Sequence, residues 1–347
     1  MDGHEVQGQA TLPAAPQDFE ATLQRCLDQA AALDQLAGDA VRGGLDSLFL
    51  VGCGGSLFAG TPAQFLLERR ASGFRSFHLT SNEFNFRRPA ALGERSLVVT
   101  LSHTGRTPET VAAVETARTA GARVVAFTRE DDSPLATAAD QVFTYGSADT
   151  VTEAKHVLLG QLAWALLRHT GVEEDYEAQA ATYAALPAAL AQTQVEAVPY
   201  CEEVAAQCAE APITYVLGSG PSHGSAAGLA MCYMQEMLWL HTAAFNAGEY
   251  FHGAFEVTTD DVPVVVFVGE DATRAMGERA ARFVRRYTKK ALVLDTREFS
   301  LPGIDDAWRS EVSPFAVGTV VPRIAAHLAF ATNHSLDNRR YMFRVEY

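Results

Sequence analysis

An α/β fold made of two copies of one domain, each a parallel sheet flanked by helices, is what the sequence predicts. Three observations carry that expectation. Short apolar runs alternate with helical stretches along the chain. Two of these runs enter glycine- and serine-rich turns, Gly52-Cys53-Gly54-Gly55-Ser56 and Gly218-Ser219-Gly220-Pro221-Ser222, which begin 166 residues apart. The same offset then persists: Asn82-Glu83-Phe84 corresponds to Gly248-Glu249-Tyr250 at 166, the apolar run before Ser102 to the one before Gly269 at 167, and residues 124–130 to 292–298 at 168. Matches in order with so small a drift indicate a repeated domain.

Residues 17–44, rich in Ala, Leu, Gln and Asp, read as an introductory helix or helix pair. The run 47–51 reads as a strand entering its glycine turn, with a helix after it. Residues 97–101 form a second strand, and 124–128 a third. An acidic, alanine-rich stretch around 172–200 serves as a helical linker. The strand pattern resumes at 213–217, 264–268 and 292–294. The domain organisation expected is therefore an N-terminal helical segment over 1–44, a first domain over 45–185, and a second over 195–347 that includes a C-terminal tail.

Composition narrows the function. The chain has 347 residues, 48% of them hydrophobic and 20% charged, as in ordinary globular enzymes. The net charge is −15 and Lys and Arg form no cluster, which argues against nucleic acid as a partner. No continuous apolar run reaches the ~18–20 residues of a membrane span. The sequence Met1-Asp2-Gly3-His4-Glu5 carries acid where a signal peptide carries base. Five scattered cysteines without a CxxC pair fit a reducing cytoplasm. No His/Cys/Asp cluster has metal-ligand spacing, so neither a metal nor any other cofactor is implied.

The strongest anion-site candidate is Ser102-His103-Thr104-Gly105-Arg106-Thr107-Pro108-Glu109. It follows a fully apolar strand, and Pro108 and Glu109 suit the first turn of a helix. Hydroxyls and free N–H groups thus converge on a helix start, where the dipole favours an anion. No P-loop lysine follows, which excludes a nucleoside triphosphate loop. The corresponding second-half segment, Gly269-Glu270-Asp271-Ala272-Thr273-Arg274, places acids where the hydroxyls stood, so one phosphate site per chain is expected. Gly52-Cys53-Gly54-Gly55-Ser56-Leu57 lacks the third glycine of a dinucleotide fingerprint. Ser56 at the next helix start can reach a sugar or its phosphate.

Residues 231–240 read as a buried helix, apolar nearly all round, with Glu236 inside it. A buried carboxyl is either paired, with an Arg or a strand end, or kept for proton transfer. Sixteen positions on, His252 follows Glu249-Tyr250-Phe251 in an aromatic-rich turn. Histidine is the natural acid/base near neutral pH, although spacing alone does not make it a partner of Glu236.

Taken together, these segments resemble the sugar isomerase (SIS) family. The motifs that carry the resemblance are the two strand-turn-helix units, Leu101-Ser102-His103-Thr104-Gly105-Arg106-Thr107, and Glu236 with the later Gly248-Glu249-Tyr250-Phe251-His252-Gly253. The similarity covers about residues 40–347. The segment 249–256 and the tail 339–347 look most like the branch of fructoselysine-6-phosphate and fructoseaspartate-6-phosphate deglycases, relatives of the isomerase half of glucosamine-6-phosphate synthase. The resemblance implies phosphosugar binding by Ser56, Ser102, His103, Thr104 and Thr107, with Glu249 and Tyr341 added to the substrate-binding set. It also implies proton transfer by Glu236 and a catalytic His252 that reaches the active site of the neighbouring subunit in a homodimer. Tyr341 stands where the synthase isomerase carries a lysine, so no Schiff base is expected. The function implied is cleavage of a 6-phosphofructosyl-amino acid to glucose 6-phosphate and the free amino acid. The alternatives on the same scaffold are a glucosamine-6-phosphate deaminase, an aldose–ketose isomerase, or a non-catalytic phosphosugar sensor.

Overall fold

Strands that are apolar on both faces form the centre of a parallel sheet, because helices cover each side. In the computed structural model this holds for β1 (Ser47–Gly52) and β3 (Ser96–Leu101), buried at every residue. With β2 (Arg75–Thr80), β4 (Arg123–Thr128) and β5 (Gln141–Thr144) they make a five-stranded sheet in the order β2-β1-β3-β4-β5, parallel throughout. A second sheet contains β6 (Thr214–Gly218), β7 (Thr242–Asn246), β8 (Val264–Val268) and β9 (Ala291–Asp295), in the order β7-β6-β8-β9 and again parallel. Residue 12, residues 14–342 and residues 344–346 are described. The acidic N-terminus, the start of the 1–44 segment, and Phe343 and Tyr347 of the tail lie outside them.

The chain divides into two compact units, one formed by Pro16–Ala191 with Leu301–Phe315, the other by Gln192–Ser300 with Ala316–Tyr347. In the first unit, one face of the sheet packs Phe49, Val51, Val98 and Val124 against Val114 and Ala117 of the helix Pro108–Thr119. The helices Phe19–Leu27 and Ala30–Arg42 bury Leu23, Cys26, Leu33 and Leu36 and pack along the helix Thr152–His169. In the second unit, Leu217, Val264, Val266 and Val268 pack against Ala280, Ala281 and Val284 of the helix Arg274–Tyr287.

Residues 306–332 bear on the expectation that no segment spans a membrane. Scattered polar residues interrupt any continuous apolar run, yet the most apolar stretch reaches a mean hydropathy of 1.4, so by length and composition the segment qualifies as a membrane span. Of that stretch, 72% is buried inside the protein, as in a core helix.

In both sheets the first strand ends at a glycine that lets the following helix close down on it. A Cβ on Gly52 would stand 3.2 Å from the Leu57 backbone nitrogen, and one on Gly218 only 2.6 Å from the Ser222 carbonyl oxygen. Because the obstacle at Gly218 is backbone, it cannot step aside by changing rotamer. Gly218→Ala is expected to destabilise the protein by about 1–3 kcal/mol, read as a lower midpoint in chemical denaturation.

Candidate functional site

The strand order sets where a ligand can bind. In a parallel sheet of order 2-1-3-4-5 the connections leave β1 and β3 in opposite directions, opening a crevice at their carboxyl ends. Gly52 pairs in register with Leu101, so the turn after β1 and the loop after β3 emerge level with each other. Thr110 and Cys53, 4.0 Å apart, tie the two together.

The loop after β3 is preorganised by its own hydroxyls. Ser102 is buried; its Oγ accepts from the Gly105 N–H at 3.1 Å and lies 3.1 Å from Thr107 Oγ1. Thr104 Oγ1 accepts from the Arg106 N–H at 3.3 Å. Gly105 has φ +63°, a left-handed conformation that a side chain disfavours. Its carbonyl accepts from the Leu135 N–H at 3.0 Å, which fastens the loop to the start of the helix Pro134–Ala138. Thr107 is the N-cap of Pro108–Thr119 with its hydroxyl not used on the helix, and Thr104 is exposed. The chain here offers hydroxyls and a helix start to an anion, with Glu109 of the first helical turn the one carboxylate in the segment 102–109.

Two residues that the sequence reading passed over complete this side. Lys155, 1% exposed, donates from Nζ to Ser56 Oγ at 2.8 Å. Tyr145 lies under it, with Nζ 5.8 Å from the ring centroid, and its hydroxyl is 2.8 Å from His103 Nδ1. Burial, then the cations Lys155 and Arg129, push the His103 pKa down to about 4. His103 is therefore neutral at pH 7, and the positive charges acting on it are those of Lys155 and Arg129. The signal for Lys155 was available: it is a charge inside the apolar run of Thr152–His169, the same anomaly that singled out Glu236.

The corresponding crevice of the second unit, between the turn after β6 and the loop after β8, already contains an anion. Asp271, 8% exposed, accepts at Oδ1 from the Thr273 N–H at 2.8 Å and from Thr273 Oγ1 at 2.6 Å. Ser219 Oγ lies 3.1 Å from the same Thr273 hydroxyl. The groups that would receive a phosphate are taken up internally, which gives a structural reason for the single site expected per chain.

Glu236 sits on a π-helix, Gly228–Met237, that continues the helix Ser222–Ala227. An ordinary helix was expected. The wide turn is visible in the Leu238 N–H, which reaches the Tyr233 carbonyl at 3.0 Å, and such segments recur at functional sites. Gln235 Nε2 pins the helix to β7 through the Thr242 carbonyl at 2.7 Å. Glu236 is less buried than its surroundings implied, with its side chain 24% exposed, and it is ion-paired: Oε1 lies 3.2 Å from Arg339 Nε. Burial raises its pKa above the usual carboxylate value, and the Arg339 charge opposes that rise.

His252 ends the short 3-10 turn Glu249–His252. Tyr250 is buried and Phe251 packs on Phe283 and under Arg279, so the turn is as packed as its aromatics imply. His252 and Glu249 themselves are exposed, and among the described residues no hydrogen bond or ion pair joins His252 to Glu236. Tyr341 is 63% exposed; its carbonyl accepts from the Arg344 and Val345 N–H groups.

The SIS domain family matches residues 45–161. The chain is 36% identical to the fructosamine deglycase FrlB of Bacillus subtilis over 87% of its own length and 93% of that protein. It is 28% identical to the fructoselysine 6-phosphate deglycase of Escherichia coli, covering 87% of this chain and 86% of the relative. A crystal structure from Bacillus subtilis described as a phosphosugar isomerase superposes with a TM-score of 0.86 at 34% identity, over 96% of this chain and 100% of that one.

Proposed function

This chain belongs to the SIS-domain family, and we propose that it works there as a deglycase on 6-phosphofructosyl-amino acids. The observation that carries the reading is the cradle of uncharged hydroxyls at the β1/β3 crevice, backed by the buried Lys155. It suits a phosphate ester, with hydroxyls where the second half carries Glu270 and Asp271. Ser56, Ser102, Thr104 and Thr107 form this cradle, with neutral His103 beside it; Glu249 and Tyr341 complete the substrate-binding set.

The chemistry needs a base that takes a proton from C1 of the sugar and returns one to C2. Glu236 fills that role, because partial burial brings a carboxyl closer to the pKa that general acid/base work near neutrality favours. Removal of the C1 proton, beside the C2 carbonyl, gives an enaminol. Protonation at C2 gives the aldose imine. Water adds at C1, the C1–N bond breaks, and glucose 6-phosphate and the free amino acid leave. The substrate brings its own nitrogen at C1, so the tyrosine at position 341 serves where a Schiff-base lysine would be superfluous. His252, exposed and apart from Glu236, acts as acid or base on the sugar oxygens in the site of a second copy, which makes the working form a homodimer with its active site at the interface. A helical segment over 1–44 precedes two duplicated SIS domains, 45–185 and 195–347. The shared strand order, second-first-third-fourth, supports the duplication. The enzyme works in the cytoplasm, in keeping with five free cysteines.

A substrate panel tests the reading. Glucose 6-phosphate is expected from phosphorylated fructosyl-amino acids in a coupled assay. Release of ammonia from glucosamine 6-phosphate, with phosphorylated fructosyl-amino acids untouched, would make the enzyme a deaminase. Interconversion of free sugar phosphates alone would make it an isomerase, and binding without turnover of any of them a sensor.

A further inference from the structure

Arg339 lies on the C-terminal tail, far in sequence from the helix it serves. Its side chain is 18% exposed. Nη1 donates to the carbonyls of Leu336 at 2.7 Å and Asn338 at 2.8 Å, which fixes one edge of the guanidinium. The Nε edge faces Glu236 Oε1 at 3.2 Å. The tail is itself fastened beside that carboxyl. Trp239, three residues beyond Glu236, receives the His334 ring edge-on at 4.5 Å and the Arg340 guanidinium over its face at 4.4 Å. Trp239 has φ +59°, a left-handed conformation that a bulky residue keeps only where its surroundings over-determine it. The His334 ring also bonds the backbone of Met237, the last residue of the π-helix.

We propose that Arg339 is a positioning residue for proton transfer: it aims the Glu236 carboxyl and keeps it ionised between turnovers, making the tail part of the catalytic apparatus. The proposal rests on the reading of Glu236 as the base. Other charged or titratable groups come from the elements around the π-helix: His223 on Ser222–Ala227, Tyr215 on β6, His241 ahead of β7, and His334, Asp337 and Arg340 on the tail. Of all these neighbours, Arg339 is the one whose charge acts on Glu236; burial pushes the carboxyl up and Arg339 pulls it down. Removing Arg339 therefore raises the pH at which Glu236 becomes a base.

The test is the pH dependence of kcat/KM, which reports groups of the free enzyme, for the wild type and for Arg339→Met, Arg339→Gln and Arg339→Lys. Ionisation of the substrate phosphate is common to all four, so differences belong to the enzyme. Arg339→Met is expected to move the acid limb upward by about one pH unit, and Arg339→Lys to return it toward the wild type. Arg339→Gln keeps donors for the Leu336 and Asn338 carbonyls while losing the charge, and is read if the Met variant does not fold. A lower rate with the wild-type acid limb in Met and Gln variants overturns the proposal and leaves Arg339 as a tail anchor. Glu236→Gln, measured alongside, separates the two claims. If it is inactive while the Arg339 variants keep the wild-type limb, only the Arg339 proposal fails. If it turns over at the wild-type rate, the base assignment itself fails.

Discussion

Glu236→Gln is expected to lose C1 proton exchange and product formation by about 10²–10⁴-fold, the usual contribution of a positioned acid/base. The substitution preserves shape. Its amide oxygen can still meet Arg339, and the pins that hold the π-helix, Gln235 to the Thr242 carbonyl and Thr242 to the Ala230 carbonyl, do not involve residue 236. Affinity for glucose 6-phosphate is expected to stay within a few fold, because the hydroxyls that receive the phosphate belong to the loop after β3. Exchange is followed by NMR in D2O and binding by calorimetry. Exchange at the wild-type rate would remove Glu236 from the proton path.

Gly105→Ala is expected to damage the same reaction from the opposite end, through the phosphate. An added Cβ would lie 2.0 Å from Ser133 Oγ and 2.5 Å from Ser133 Cβ, at a backbone φ of +63°. Ser133 cannot easily retreat, because its hydroxyl accepts from the Ala136 N–H at 3.2 Å as the N-cap of Pro134–Ala138. The loop must move instead, carrying the Gly105 N–H away from Ser102 and unsettling Thr104 and Thr107. Backbone strain of this kind costs about 1–3 kcal/mol, which corresponds to about 5–150-fold in kcat/KM. Most of the loss is expected in KM, since proton transfer itself is untouched. A normal KM with a depressed kcat would mean that the loop does not carry the phosphate.

The sequence made the fully buried strands legible and the mostly unburied β2 and β7 obscure, for one physical reason. β1, β3, β6 and β8 are buried at every residue, so each appears as a mainly apolar run. β2, with residues from intermediate to exposed, and β7, with one buried residue, lie at sheet edges where half-polar sequence suffices. Arg75–Thr80 and Thr242–Asn246 therefore carry no such signal. The hydroxyl loop was legible because its residue types and its place after a strand are both local. The Glu236–Arg339 pair was not, because it joins positions about a hundred residues apart; the sequence posed an ionic partner as one alternative without locating it. Lys155 was legible in principle, by the rule that a charge within an apolar helix needs a reason. The π-helical turn had no sequence signature, since its residues are those of any buried helix.

The most direct test of the account is to run the reaction in D2O with a 6-phosphofructosyl-amino acid and locate deuterium in the products by NMR and mass spectrometry. Glu236 is 24% exposed, so its proton exchanges with solvent between removal at C1 and delivery at C2. The account predicts glucose 6-phosphate carrying deuterium at C2, one free amino acid released per sugar, and loss of both in Glu236→Gln. Glucose 6-phosphate formed without deuterium at C2, with none at C1 of the recovered substrate, would contradict it.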